Sequence, residues 1–533
     1  LLDRGQIELT TTPFFHPILP LVIDTDINRR ARPDLPLPSR FRAPEDADTQ
    51  LRCAVDFHRK TFGQPPVGLW PSEGSVCPEL LPLVHHAGLR WLATDEGVLA
   101  RSFESDHRPW HRHADLYRPY RAGESGREVA MVFRDRDISD AFGFVYHKTN
   151  PDSAADDVLR RLRNIIHNAP QDQILIPIIL DGENPWEHYH DGGEHFLSRL
   201  YRAFTARELD QEQSVRLTAS TMSEGLAAVP PAQHLPSLHS GSWINQDYKI
   251  WIGHQEDNCG WDLLGHTRTR LVETAPTLPA ERAEAAWQEL YAAEGSDWFW
   301  WYGDDFDTDY KQEFDRLFRT HLRNVWLFMG LTPPDRLNQS ICMTGQPAAA
   351  DRVTQPVTIL TPVIDGLVTD FFEWRGAGTI TTQPPLGAMW KAEGLFTAIY
   401  FGWSHDHLCL RLDPDEAAQP RQNGLGMEIT LHGPGHSFRL SCSLAPSGPE
   451  SFTLFQQGEG EIWQEIGPYR SICRRAILEL AIPTKDLQLE PGQEVRMSLV
   501  ILEHGLEAAR YPHHTPAVLT VPGPEFEAGL WRV

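Results

Sequence analysis

Short apolar runs that stop at carboxylates recur in the N-terminal part of the chain, and they limit the folds open to it. The runs are residues 66–70, 89–94, 128–133 and 174–180, and the acids that follow them are Glu73, Asp95, Asp135 and Asp181. Apolar, partly β-branched runs of this length predict buried strands, and the segments between them have helical spacing. One acidic turn after a core strand is ordinary loop chemistry, so the repetition carries the argument.

The run at residues 174–180 (ILIPIIL) reads as a strand buried on both faces that delivers Asp181 and Glu183 to its C-terminal end. In parallel α/β proteins this is the end at which catalytic groups are placed, because strands fix their position and loops shape the site. Residues 5–12 and 214–219 read as further strands. Strands alternating with helices therefore predict a parallel α/β barrel or an open sheet, whose first strand would lie upstream of Leu1.

Other stretches of the first half predict less regular structure. Residues 28–50, rich in Arg, Pro and Asp, read as an exposed excursion, and residues 101–126 as an irregular insertion. The aromatic and polar tract 238–264 reads as a loop that lines a site. Residues 298–305 place aromatic side chains beside acids.

The texture changes in the second half. Residues 281–294 and 314–329 have the spacing of helices, and a linker rich in Pro, Gln and Ala follows at about 332–357. Beyond it, apolar residues alternate with period two, which is typical of an antiparallel β-sandwich. We therefore predict three domains: an α/β barrel over 1–264, a helical subdomain over 265–345 and a β-sandwich over 346–533.

Composition excludes several classes of partner. The 533 residues carry a formal charge of −25, which disfavours nucleic acid and anionic lipid, since both require basic patches. No apolar run is long enough to cross a bilayer, so we expect no membrane role beyond a peripheral one. The oligomeric state cannot be read from the sequence.

Seven scattered cysteines without CxxC spacing argue against a disulfide framework or a zinc site and favour a reducing cytosol. The chain opens with Leu1 in place of Met, directly before a strand-like segment. We therefore expect an upstream piece, with a signal peptide among the alternatives, and the predicted cytoplasmic location depends on this point.

Two carboxylates on strand ends, with tryptophans near both, suit the cleavage of a glycosidic bond. One acid protonates the leaving oxygen, and the other attacks the anomeric carbon or activates water. The separation of the two carboxyl groups decides between retention and inversion, and a sequence does not give it. Tryptophan rings would offer flat faces to sugar rings, although any single tryptophan packs in a core at least as often.

Six ordered segments carry a resemblance to a known family. They are GQIELTTTPFFHPILPL (5–21), GLWPSEGSV (68–76), ATDE (93–96), FRDRDISDAFGFVY (133–146), DGENPWEHY (181–189) and GSWINQDYKIWIG (241–253). Together they resemble the family 57 glycoside hydrolases, which act on α-glucans, and within that family the amylopullulanases and α-amylases. The resemblance covers about residues 1–345 and implies an incomplete (β/α)7 barrel followed by a helical domain.

The resemblance also implies roles for individual residues. Glu73 would be the nucleophile of a retaining double displacement, and Asp181 the general acid and then the base. Glu73 would have to stay ionised, whereas the pKa of Asp181 would have to be raised, for example by burial beside Glu183. The expected substrate contacts are Glu8, His16, Trp70, Glu183, Trp243, Asn258 and Trp261. His16 has an alternative reading as a core histidine.

No cofactor is expected, and no His and acid cluster has the spacing of a zinc site, so we predict a metal-independent mechanism. The family's first motif, a histidine and proline stretch on the first barrel strand, has no counterpart here. In the C-terminal part, Trp374, Trp390 and Trp403 are candidate glucan contacts, with core packing the favoured reading.

Several functions therefore stay open on the sequence alone. The first is a retaining hydrolase of starch, glycogen, maltodextrin or pullulan, and the second is a 4-α-glucanotransferase. A non-catalytic glucan-binding protein is a third reading, and a metal-dependent mannosidase is a distant fourth. The choice among α-1,4 hydrolysis, α-1,6 hydrolysis and transfer depends on how well the acceptor site excludes water.

Overall fold

The structure is a computed structural model. It describes residues 1–182, 184–206, 217–306, 308, 310–342, 353–369, 373–380, 395–415, 424–444, 449–458, 462–513, 515–523 and 526. The chain divides into two compact units: the first comprises Leu1–His254 and Glu294–Phe299, and the second comprises Gln255–Ala293 and Trp300–Val533.

Helices and strands follow one another in chain order. The helices are α1 Leu19–Ile23, α2 Asn28–Ala31, α3 Pro44–Phe62, α4 Leu80–His86, α5 Glu96–Ser105, α6 Arg112–Asp115, α7 Arg136–Phe144, α8 Pro151–Asn168, α9 Asn184–Glu187, α10 Glu194–Ala206, α11 Met222–Ala228, α12 Gln255–Thr274, α13 Ala280–Ala293, α14 Ser296–Trp301 and α15 Lys311–Met329. The strands are β1 Gly68–Leu69, β2 Trp91–Asp95, β3 Tyr120–Ala122, β4 Val129–Arg134, β5 Gln233–His234, β6 Val353–Thr354, β7 Gly378–Ile380, β8 Phe396–Trp403, β9 His407–Pro414, β10 Leu425–His432, β11 Ser437–Leu444, β12 Phe452–Gln457, β13 Trp463–Tyr469, β14 Ile472–Arg474, β15 Leu478–Pro483, β16 Glu494–Glu503, β17 Leu506–Tyr511 and β18 Ala517–Thr520.

The first unit contains a five-stranded sheet in the order β1-β2-β4-β3-β5. Strands β1, β2 and β4 run parallel to one another, β3 is antiparallel to β4, and β5 is parallel to β3. Gly68 of β1 lies opposite Trp91 of β2, and a side chain at position 68 would occupy the space of the Trp91 ring. The sheet is therefore mixed, and the α/β class that the alternation predicts is confirmed.

The prediction of a regular strand at residues 174–180 is wrong. The segment belongs to none of the strands above, and Pro177 is its only fully buried residue. Proline has no N–H to donate to a ladder, so the segment makes isolated bonds instead. Leu175 donates to the carbonyl of Tyr117 (3.0 Å), and the carbonyl of Pro177 accepts from Asp135 (3.0 Å).

Four other sequence predictions for this unit need correction. Residues 5–12 form no strand and make only an isolated parallel bridge, from Thr11 to Leu69. Of residues 214–219, the first three lie outside the described residues and the rest form no strand. The stretch 101–126 contains the end of α5, all of α6 and β3, and helix α3 begins within the predicted excursion 28–50.

Two of the acids that follow strands are helix N-caps. The side chain of Asp95 accepts from the N–H of Gly97 (2.8 Å), and that of Asp135 accepts from the N–H of Ile138 (3.1 Å). An acceptor at this position satisfies an N–H that has no partner inside the helix. These carboxylates are buried and paired with arginines, so their place after a strand has a structural cause.

The second unit begins with helices, and α13 and α15 confirm the helical spacing of the sequence. The prediction that the tract 238–264 is a loop is wrong for its last third, because helix α12 begins at Gln255. Acidic residues in the first turn of α12, Glu256 and Asp257, favour a helix start there. The dense aromatic content of this tract hides the 3.6-residue spacing by which a helix is recognised.

The strands described in the rest of the second unit form antiparallel sheets, as period-two alternation predicts. A seven-stranded sheet runs β13-β12-β11-β10-β16-β17, with β18 beside β16, and a six-stranded sheet runs β14-β15-β9-β8-β7-β6. Their inward residues form one core that includes Ile399, Leu410, Met427, Leu440 and Leu499. This is the packing of two sheets around a shared apolar layer.

Among the described residues, no helix is long and apolar enough to cross a bilayer. The boundaries predicted at 264 and 345 stay a prediction.

Candidate active site

Glu73 lies in a tight turn at the end of β1. The turn Ser72–Gly74 begins three residues after Leu69, and Glu73 has φ 55° and ψ 27°, a left-handed conformation that is uncommon outside glycine. Gly74 also has a positive φ (59°), and a Cβ there would lie 3.0 Å from the Trp70 ring. The turn is therefore shaped so that an indole packs against the residue that follows Glu73.

The segment 241–247 is pinned beside this turn. Val76 and Gly241 exchange two backbone hydrogen bonds, of 2.9 and 3.0 Å, and a Cβ at position 241 would lie 2.3 Å from the Gln246 carbonyl. The pairing brings Trp243 to Glu73. The indole Nε1–H of Trp243 donates to Oε2 of Glu73 at 2.8 Å.

Trp70 and Trp243 form an edge-to-face pair whose ring centroids lie 5.3 Å apart at 71°. Both rings are partly exposed, so the pair forms an aromatic wall beside the carboxylate of Glu73. Such a wall is apolar and rigid, as sugar-binding clefts require.

The environment raises the pKa of Glu73 to about 7. Burial is the largest cause, because removal from water disfavours the charged form. The hydrogen bond from Trp243 acts in the opposite direction, and the negative charges of Asp181 and Asp297 add to the rise. Three carboxyl groups thus interact at one place in the first unit.

Asp181 reaches this place from the irregular segment 174–180. The N–H of Ile179 donates to the hydroxyl of Ser139 on α7 (3.1 Å), and the Pro177 carbonyl is bound by Asp135 at the start of the same helix. Helix α7 therefore holds the segment from which Asp181 projects. The side chain of Asp181 is partly exposed.

Asp297 is the residue of this cluster that the sequence did not identify. It belongs to Glu294–Phe299, which packs within the first unit. The N–H of Ser296 donates to the His16 carbonyl (3.1 Å), and the Ser296 hydroxyl lies 2.8 Å from Nδ1 of His16. His16 thus holds the start of α14. The aromatic and acidic stretch 298–305 was the available signal, but it begins one residue too late.

Glu8 does not join the cluster. It accepts from the N–H (2.8 Å) and the hydroxyl (2.6 Å) of Ser223, and from the indole of Trp91 (3.3 Å). Because Thr11 pairs in parallel with Leu69, Glu8 lies about 10 Å back along the chain, toward the opposite end of the sheet from Glu73. A cavity of about 290 Å³ opens beside Glu8, away from Glu73.

Three further predicted contacts stay predictions. Asn258 and Trp261 belong to α12 of the second unit, where Trp261 is 1% exposed, and Glu183 lies outside the described residues. The structure therefore brings together Glu73, Asp181, Trp70 and Trp243, with His16 attached through Ser296. Within the described ranges, no group of three or more His, Cys, Asp or Glu side chains could hold a metal ion.

Residues 1–236 match the sequence pattern of glycosyl hydrolase family 57. The match covers somewhat less than half of the 533 residues. The matched segment contains Glu73 and Asp181, whereas Trp243 and Asp297 follow it in sequence. No curated protein matches the chain.

Solved structures similar to this chain include three enzymes. A GH57 branching enzyme from Thermococcus kodakaraensis is 18% identical over 62% of this chain and 66% of its own, with a TM-score of 0.46. The α-amylase AmyC from Thermotoga maritima is 15% identical over 62% and 67%, with a TM-score of 0.45. The 4-α-glucanotransferase from Thermococcus litoralis is 12% identical over 94% and 74%, also with a TM-score of 0.45. The chain thus spans slightly less than two thirds of the branching enzyme.

Proposed function

We propose that this chain is an α-glucan-active glycoside hydrolase that works by a retaining double displacement. Glu73 is the nucleophile, and Asp181 is the general acid and then the general base. The first unit is proposed to be the incomplete (β/α)7 barrel of the family. The observation that carries the proposal is the electrostatic coupling of Asp181 to a partly buried Glu73 beside two tryptophan rings.

The chemistry divides between the two carboxyl groups. In the first step, ionised Glu73 attacks the anomeric carbon while Asp181 gives its proton to the departing glycosidic oxygen. In the second step, Asp181 takes a proton from the incoming hydroxyl, and that oxygen displaces Glu73. Water as the acceptor gives hydrolysis, and a glucan hydroxyl gives transfer.

The raised pKa of Glu73 fits one part of this cycle and constrains another. A buried carboxylate with few hydrogen bonds is a better nucleophile than a well-hydrated one, because no water shell has to be removed. The same burial leaves much of Glu73 protonated at neutral pH. The Trp243 hydrogen bond offsets this, since it stabilises the charged form.

The proposed substrate class is the α-glucans, and its support is the match to family 57 together with the ordered motifs of the sequence. The aromatic wall of Trp70 and Trp243 suits a neutral sugar ring, and the charge of −25 disfavours anionic polymers. Hydrolysis is proposed ahead of transfer because the motifs resemble amylopullulanases and α-amylases. Asp181 and Trp70 are partly exposed, so an acceptor can reach them.

The decisive experiment compares Glu73→Gln and Asp181→Asn with the wild-type chain on maltoheptaose and pullulan. Each variant is expected to lose at least about a thousandfold in release of reducing sugar while keeping its melting temperature within a few degrees. The products separate the candidates: short sugars indicate hydrolysis, and chains longer than the substrate indicate transfer. Glucan binding without turnover by the wild type would overturn the proposal.

Chemical rescue assigns the two roles separately. With an activated aryl α-glucoside and azide, Glu73→Ala is expected to give the β-glucosyl azide, because azide enters directly on the face left open. Asp181→Ala is expected to give the α-glucosyl azide, because azide then opens the Glu73 ester from the opposite face. Exchange of these outcomes between the variants would reverse the assignment of the roles.

A further inference from the structure

Trp243 holds Glu73 at two points. Its indole N–H binds the side chain of Glu73 at 2.8 Å, and its backbone N–H donates to the Glu73 carbonyl at 3.0 Å. The two hydrogen bonds hold both the carboxylate and the main chain of the same residue. A residue that served only as a flat surface for sugar would need neither bond.

The two hydrogen bonds matter because Glu73 has an unusual backbone conformation. A left-handed residue other than glycine persists only where its surroundings fix it. The bond to the Glu73 carbonyl fixes the main chain, and the Val76–Gly241 pair anchors the segment that supplies this bond. The direction in which the carboxylate points therefore depends on Trp243.

Arg134 covers a face of the same indole. Its guanidinium carbon lies 4.9 Å from the ring centre, and its Nε lies 3.2 Å from Oδ2 of Asp95. Asp140 is its second ion-pair partner, and the arginine side chain is 6% exposed. A cation fixed over the ring draws electron density from it and makes its N–H a stronger donor.

We propose that Trp243 is a positioning residue for Glu73 and that Arg134, fixed by Asp95, strengthens its hydrogen bond. One indole face is covered by Arg134 and the N–H is used by Glu73, so Trp243 is a poor candidate for a sugar platform. Trp70, whose ring meets that of Trp243 edge to face, remains the candidate for that task. This inference rests on the proposed role of Glu73 as the nucleophile and adds the residues that hold Glu73 in place.

The first test is Trp243→Phe, which keeps an aromatic ring and removes the N–H donor. The midpoint of the acid limb of kcat/KM is expected to rise by about one pH unit, because a hydrogen bond to the charged form is lost. At pH 6 the value of kcat/KM is expected to fall by about tenfold. An unmoved acid limb would overturn the inference.

Two sets of variants serve as matched controls. Trp70→Phe is the same substitution in the partner ring, and it is expected to raise KM without moving the acid limb. Arg134→Met is expected to move the limb in the same direction as Trp243→Phe by a smaller amount, and Arg134→Lys to restore most of the shift because the cation is retained. If the acid limb of Arg134→Met had the same midpoint as that of the wild type, Arg134 would not strengthen the hydrogen bond.

A second readout needs no activity. The difference in melting temperature between each chain and its Glu73→Gln derivative, followed against pH, changes slope where Glu73 titrates. This break is expected at a higher pH in the Trp243→Phe background than in the wild-type background. Equal breaks would overturn the inference even in an active enzyme, whereas a moved break in a chain without turnover would reject the proposed function alone.

Discussion

Arg323 of helix α15 binds Glu507 of strand β17 through two hydrogen bonds, of 2.7 and 2.6 Å, with side chains that are 1% and 3% exposed. Arg510 binds the same carboxylate at 3.0 and 3.2 Å. The two guanidinium groups hold the pKa of Glu507 far below its usual range, against the opposite effect of burial. A buried ion cluster thus joins the helices of the second unit to its antiparallel sheets.

The first prediction concerns this cluster. Glu507→Gln is expected to lower the free energy of unfolding of the second unit by about 3–5 kcal/mol at pH 7, because it leaves two buried arginines without a counter-charge. A lowered pKa gives stability above the unfolded value that is lost as pH falls, so the difference should shrink in acid. Urea unfolding of the variant and the wild type, measured at pH 7 and again in acid, checks this.

A matched control lies in the same unit. Glu273 forms an exposed pair with Arg270 at 3.1 Å on α12. Glu273→Gln removes a carboxylate by the same substitution and is expected to cost less than about 0.5 kcal/mol. Equal losses for the two variants would show that burial does not decide the energy of the Glu507 cluster.

The second prediction is the pH dependence of turnover. The proposed nucleophile is active when ionised, and the pKa of Glu73 is about 7. The value of kcat/KM is therefore expected to fall tenfold per pH unit below about pH 7, far above the range of an ordinary carboxylate. Initial rates on maltoheptaose between about pH 5 and 9 measure this, and an acid limb centred near pH 4 would contradict it.

The third prediction follows from Asp297, whose negative charge raises the pKa of Glu73. Asp297→Asn removes that charge with little change of shape, so the acid limb is expected to move to lower pH. Asp305→Asn, at an acid of the aromatic stretch that follows Asp297, is the matched control and should leave the limb in place, because the charges that raise the pKa of Glu73 are those of Asp181 and Asp297. A limb that moves upward would assign Asp297 a different task.

Regular periodicity was the reliable signal in this sequence. Alternate residues such as Met427 and Ile429 face one apolar core, so period two predicts the C-terminal sheets directly. Helices α13 and α15 follow from the 3.6-residue spacing for the same reason. The apolar run 174–180 misled because composition alone ignores Pro177, which removes the N–H that a ladder needs.

The site was harder to predict because local sequence does not reveal what a carboxylate binds. Glu73, Asp95 and Asp135 all follow strands, yet two of them cap helices and pair with arginines. Asp297 is remote in sequence and reaches the cluster through the contacts of Ser296 with His16. Only the tertiary fold separates the proposed nucleophile from a helix cap.

The fourth prediction concerns the C-terminal tryptophans. Trp374 is 7% exposed and donates to Glu479 at 2.8 Å, Trp403 is 1% exposed, and Trp390 lies outside the described residues. Trp374→Phe is therefore expected to leave glycogen affinity unchanged and to destabilise the second unit by about 1–3 kcal/mol, since a buried carboxylate loses its donor. Affinity electrophoresis in glycogen and urea unfolding check the two parts. Weaker retardation of the folded variant would restore Trp374 as a glucan contact.

The fifth prediction is that Glu73→Gln makes the first unit more stable at neutral pH. The pKa of Glu73 is about 7 in the folded chain, against a reference value of 4.5. Between these values the native state binds more protons than the unfolded state, so the stability of the wild type falls as pH rises and levels off above about pH 7.

A glutamine side chain never ionises but still accepts from Trp243, so the variant is expected to gain about 1–3 kcal/mol at pH 8. The gain should nearly vanish at about pH 5, where wild-type Glu73 is protonated. Urea titrations of both chains at the two pH values measure it, and an equal gain at both would mean that neutralising Glu73 is not its cause.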